Sequence, residues 1–232
     1  PSKKSNTNGQ LYAGPGKVQE AIDAWAVEES HGYNTRAQVS LHPSGVYSSD
    51  TEDLPIVLRR GVTLNMNGAD LALLEDTDGF HFRPESQLKN GRVKYLTPGQ
   101  SYSSTVFDID TTRFNGKADI SNHIRIQNVD TKGHPGNRGT VMYADATGAP
   151  VAGMQVNSCV WHNCGHRGIL IENGNPDSWA NGNWWSNMTL FGGETIIEFV
   201  SREADAPVNG NYFLGLPHPS DESEWLAQIR GE

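Results

Sequence analysis

The sequence predicts an all-β fold, a right-handed parallel β-helix with a capping α-helix at its start and a short helix at its end. Two series of strand-like segments advance along the chain at nearly one period. One amphipathic helical stretch precedes them, and helical periodicity does not return until the last dozen residues.

The first series is Ile124-Arg-Ile-Gln-Asn128, Met154-Gln-Val-Asn-Ser158, Asn183-Trp-Trp-Ser-Asn187 and Asn211-Tyr-Phe-Leu-Gly215. Its central residues Ile126, Val156, Trp185 and Phe213 are 30, 29 and 28 residues apart. The second series, Tyr143, Ile171 and Phe199, steps by 28 and 28. Val39, Leu64 and Leu88 extend the first series backwards, with steps of 25 and 24 before an insertion stretches the next to 38. A segment of this length closes one turn of a solenoid, so each strand pairs in parallel with its equivalent roughly 4.8 Å away. The residues of both series from Ile126 onward are expected inside. Asn90, Asn128 and Asn187 recur beside the turns, where stacked amides can bond along the axis.

Residues 1–16 are polar and Gly-rich and read as a flexible lead-in. Lys17–Glu29 reads as the helix, because Val18, Ala21, Ile22, Trp25 and Ala26 form one apolar stripe. Trp25 and Ile22 are expected to cover the first coil. Residues 17–219 then form a single β-helix domain, and 220–232 a C-terminal helix and tail. In that tail Asp221 and Glu224 suit a capping pair. Trp225, Leu226 and Ile229 make an apolar patch that could close the last coil or dock on a neighbouring subunit.

The formal charge of −9, from 27 acidic and 18 basic residues, argues against a nucleic-acid binder. No apolar run approaches the roughly 18 residues that a membrane helix needs, so no membrane insertion is expected. The first residues lack an apolar h-region, so no secretory signal peptide is expected. Pro1 fits a native start that has lost its Met, and a mature or trimmed chain fits equally; without a signal, an extracellular destination needs another route, such as assembly into a virion. Cys159 and Cys164 are too few for a disulfide framework and read as small, partly buried thiols. No cofactor is expected.

Val18-Gln-Glu-Ala-Ile-Asp-Ala24, Val39-Ser-Leu-His-Pro-Ser-Gly-Val-Tyr47 and Pro55-Ile-Val-Leu-Arg-Arg-Gly-Val-Thr-Leu64 resemble the opening of pectate-lyase-like β-helix proteins. Met154–Gly165 resembles the recurrent coil motif of that superfamily. The resemblance covers about residues 17–215. It implies the fold, and it leaves the activity open among sugar lyases, hydrolases and viral spikes.

Stacked turns should gather His134, Arg138, His166 and Arg167 on one edge, where guanidinium forks suit carboxylates or sulfates. Gly165-His-Arg-Gly168 resembles the Gly-His-Gly segment of polygalacturonases, but their Asn-Thr-Asp and Asp-Asp partners have no counterpart in the sequence. Asp145 and Glu172 begin equivalent turns and are the alternative catalytic pair for glycoside hydrolysis. Trp179, in a Gly/Asn/Pro-rich loop, suits stacking on a sugar face. Trp184 should point outward if Trp185 is core. Glu75-Asp-Thr-Asp-Gly79 resembles half of a calcium loop but lacks the remaining ligands, so no metal site is expected.

The expected carbohydrate-binding set is therefore His166, Arg167, Asp177, Trp179 and Trp184, the first four taken as one edge. The expected function is that of a receptor-recognition appendage of a virus particle. It would be a homo-oligomer, trimer or larger ring, in contact with other virion proteins and with cell-surface glycan. The alternative is an extracellular polysaccharide lyase or glycoside hydrolase.

Overall fold

A computed structural model describes residues 10–24, 37–95, 103–114, 123–132, 139–162, 166–191, 194–214 and 225–231. Its strands stack into a parallel β-solenoid of about six turns. The path of the first sheet runs through Gln10–Ala13, Ala37–Leu41, Val62–Asn65, Gln87–Tyr95, Arg125–Lys132, Gln155–Asn157, Trp184–Ser186 and Tyr212–Leu214. The second runs through Ile56–Leu58, Phe80–Phe82, Thr105–Asp110, Thr140–Asp145, Arg167–Asn173, Thr195–Ser201 and Trp225–Gly231.

The first series of apolar residues is in register throughout. Val39 pairs with Leu64, Leu64 with Leu88, Leu88 with Ile126, Ile126 with Val156, Val156 with Trp185 and Trp185 with Phe213. All but Phe213 are buried, and Phe213 packs against the core partly exposed. In the second sheet Phe80, Phe107, Met142 and Ile169 form a register column of their own, each fully buried.

The asparagine positions have a backbone reason. Asn90, Asn128 and Asn187 adopt left-handed φ values of 59°, 52° and 52°, and Ser158 at 54° occupies the rung between Asn128 and Asn187. Asparagine tolerates this region better than most residues. Asn128 Nδ2 donates to Asn90 Oδ1 at 3.2 Å, and Asn90 Nδ2 to Asn65 Oδ1 at 3.1 Å.

Several expectations are corrected. Tyr143 is not interior: it pairs with Leu170, while Ala144 takes the place aligned with Ile171. One residue of slip exchanges the two faces of a strand, and Ala144 is too small to signal an interior position beside a large aromatic. Phe199 does align with Ile171 and packs against the core, partly exposed. Residues 10–13 are not a loose lead-in, since Gln10–Ala13 pairs with Gln38–Leu41 and adds a strand to the first sheet.

The helix spans Val18–Asp23, with Val18 and Ile22 fully buried. Trp25 lies outside the described residues. Lys17 supplies no side-chain cap; the carboxylate of Glu52 accepts from the amides of Gly16 at 2.6 Å and Val18 at 3.4 Å instead. At the other end the expected helix is a strand. Trp225–Gly231 pairs with the second sheet, aligning Trp225 with Thr195 and Ile229 with Phe199, and Leu226 lies within it. The open hydrogen-bonding edge of Thr195–Ser201 outweighs a short stretch of helical pattern. Residues 220–224 lie outside the described residues. No helix among the described residues is long and apolar enough to cross a membrane.

Candidate functional site

The outer face of the first sheet carries two parallel rows of side chains, because alternate residues of each strand point away from the core. One row reads Gln38, Thr63, Gln87, Arg125, Gln155, Trp184 and Tyr212. The next reads Ser40, which is buried, and then Asn65, Lys89, Gln127, Asn157, Ser186 and Leu214. No carboxylate stands in either row, although the chain carries 27 acidic residues. Trp184 and Tyr212 stack with ring centroids 4.6 Å apart and are 43% and 47% exposed. Arg125 is exposed, two coils from Trp184, and pairs with no carboxylate among the described residues. Amide, hydroxyl and cationic groups beside a stacked aromatic pair match the hydroxyls and apolar faces of sugars.

The outer face of the second sheet is the opposite in charge. Asp110, Asp145 and Glu172 align on three successive coils, so the alternative catalytic pair does fall on neighbouring strands. Both of its members are buried, at 7% and 6% exposure. Burial pushes the Asp145 carboxyl above its ordinary value, against a hydrogen bond from the Thr147 amide. Glu172 accepts from the Tyr143 hydroxyl at Oε1 and from two guanidinium nitrogens of Arg202 at Oε2. Burial, then the bond to Glu172, raises the Tyr143 phenol far beyond its usual range. Two carboxylates without open approach are poorly placed to act on a glycosidic bond.

Farther along the same face, Asp78, His81 and Asp108 converge, with their ligating atoms all within 4.8 Å of one another. His81 and Asp108 are register partners on neighbouring coils. Arg113 reaches in from the short 3-10 turn that follows Asp110. Burial drives the Asp108 carboxyl up to about 6, against the pull of Arg113 and His81. This cluster escapes motif reading because its members belong to separate strands and turns with no local signature.

The expected binding set is not one edge. His166 and Arg167 stand at the start of Arg167–Asn173, whereas Asp177 and Trp179 follow its end. At roughly 3.3 Å per residue that strand separates them by about 20 Å. Arg167 is engaged with the buried carboxylate of Glu198, and His166 Nδ1 with Glu194. Asp177 is exposed and Trp179 half-buried. Trp184 is the member of the set that sits among further binding-type side chains. His134 and Arg138 lie outside the described residues. In the acidic turn, Asp76 accepts from the amides of Ser103 and Ser104 at 2.9 Å each, and Asp78 Oδ1 from that of Thr105 at 2.8 Å, which ties the turn to the next coil.

Comparison with known proteins gives no match to a family model, to a curated protein or to a solved structure.

Proposed function

We propose that the chain is a recognition module that binds an acidic glycan on the outer face of its first sheet and turns nothing over. The observation that carries this reading is the pair of carboxylate-free rows, one of which ends in the Trp184–Tyr212 stack. An aromatic face takes the apolar side of a sugar ring, and a guanidinium fork takes a uronate or sulfate. Arg125 and Trp184 lie two strand spacings apart, roughly 10 Å, so the glycan runs along the solenoid axis. The resemblance to pectate-lyase-like spikes supplies the setting, a homo-oligomeric appendage on a virus particle that meets a cell-surface glycan.

Calorimetric titration with uronate-containing oligosaccharides, beside neutral glucan oligosaccharides of equal length, tests this. Trp184→Ala should weaken uronate binding at least tenfold, about 1.4 kcal/mol, with the melting temperature unchanged. Arg125→Ala should remove the preference for the acidic ligand. Equal binding by the wild type and Trp184→Ala would remove the aromatic pair from the site. Loss of the oligomer in Trp184→Ala, read by sedimentation, would make this face a subunit contact instead. Release of reducing ends that disappears in Asp145→Asn would replace the proposal with a hydrolase.

A further inference from the structure

The cluster of Asp78, His81 and Asp108 closes on one ring nitrogen. His81 Nε2 lies 3.0 Å from Asp78 Oδ2 and 3.2 Å from Asp108 Oδ2, so all three residues present electron pairs to one point once the Nε2 proton is displaced. Arg113 Nη1 lies 2.9 Å from the same Nε2 and 3.2 Å from Nδ1, against the face of the ring and off the lone-pair line of either nitrogen.

Two further facts describe what would fit. Arg113 Nη1 also lies 2.6 Å from Asp108 Oδ2, so a positively charged nitrogen already sits against the oxygen and nitrogen on which the cluster closes. Asp108 Oδ1 is buried and accepts no hydrogen bond among the described residues, in a side chain only 4% exposed. A divalent cation that replaces the Nε2 proton and the Arg113 nitrogen would accept electron pairs from all three residues.

We infer that Asp78, His81 and Asp108 form a binding site for a divalent cation of the zinc or manganese class, in exchange with the Arg113 side chain. The ligand set of one imidazole and two carboxylates suits such ions. Bonds of about 2.1 Å place neighbouring ligand atoms about 3.0–3.4 Å apart, and the two His81 contacts fall in that range. The orientation of Asp78 is fixed from behind, since its Oδ1 accepts from the Thr105 amide at 2.8 Å. Arg113 is 44% exposed and also contacts Asp110 at 3.0 Å, so its guanidinium can withdraw onto that carboxylate. The bound ion joins two neighbouring coils and keeps open positions where Nη1 had been, facing the surface.

Zn2+ and Mn2+ titrations of the full chain by calorimetry, with the visible spectrum of bound Co2+ as a second readout, test the site. The wild type should bind one equivalent, and His81→Ala should lose at least tenfold in affinity. Arg113→Ala should gain at least tenfold, because the competing cation is gone; a purely structural role for Arg113 does not produce this gain. Asp108→Asn should also lose affinity. Because that variant alters a buried group, His81→Ala and Arg113→Ala decide the matter if it does not fold. Affinity unchanged in His81→Ala, or no binding by either the wild type or Arg113→Ala, would overturn the inference.

Discussion

Trp185 and Phe213 stack one coil apart inside the solenoid, with ring centroids 4.6 Å apart and planes 9° from parallel. Their chain neighbours Trp184 and Tyr212 make the same 4.6 Å contact on the outside. Adjacent residues thus do the same geometric work for opposite purposes, one pair excluding water and the other presented to it.

The two tryptophans should therefore answer differently to truncation. Trp185→Ala is expected to cost about 3–5 kcal/mol, the range for emptying a buried aromatic site. Trp184→Ala should cost less than about 1 kcal/mol, as exposed contacts do. Urea denaturation of both variants checks this, and equal costs would contradict the assigned parity of the strand.

The left-handed corner offers a stabilising change. Ser158 holds φ 54° at the corner position that asparagine occupies at residues 90, 128 and 187. Ser158→Asn should raise stability by about 0.5–1 kcal/mol, since asparagine tolerates this conformation better and adds an amide to the ladder. Asn128→Ala should lose about 1 kcal/mol, and Asn128→Gly less. Shifts in the urea midpoint at constant slope would register all three.

Asp145 gives a pH-dependent outcome. Its folded pKa lies above the ordinary 3.8, chiefly through burial. A raised carboxyl contributes stability in full below the unfolded pKa, and this is lost as pH rises through the folded one. Near neutrality the charged group is thus a liability. Asp145→Asn keeps an oxygen for the Thr147 amide and removes the charge, so it should melt higher than the wild type at about pH 7. The gap should close at about pH 3, where the carboxyl is mostly protonated in the folded and unfolded chain alike. Melting curves across that range check the sign.

Close packing between coils fixes another position. A Cβ on Gly168 would stand 2.6 Å from the carbonyl oxygen of Ile196, which the neighbouring strand holds in place. Gly168→Ala should destabilise by about 1–3 kcal/mol. Gly14→Ala, where a Cβ would meet nothing within 4 Å, serves as the control. A matching cost at both sites would mean that backbone entropy, and not contact, sets the effect.

The first sheet was legible because its interior column repeats large apolar residues beside asparagine corners, two coincident periodic signals. The second sheet was legible only in part. Ala144 gives no signal for an interior position, so Tyr143 drew the register one residue aside. The last strand was missed because pairing with Thr195–Ser201 is a property of the neighbour's edge and not of residues 225–231. The acidic face was half seen: Asp145 and Glu172 share a step of 27 residues, whereas Asp78, His81, Asp108 and Arg113 follow no repeat. Stacking assembles them, and stacking is invisible to a local pattern.

The recurring left-handed corner also makes length a quantised property of this architecture. Each turn enters and leaves in the same conformation, so a whole extra turn of about thirty residues can be spliced in without disturbing its neighbours. A single inserted residue within a strand instead exchanges inside and outside for the rest of that segment. Elongation therefore proceeds in coil-sized increments. Each increment that repeats an existing rung lengthens the carboxylate-free strip by one more, so the length of that strip is set by duplication and not by point substitution.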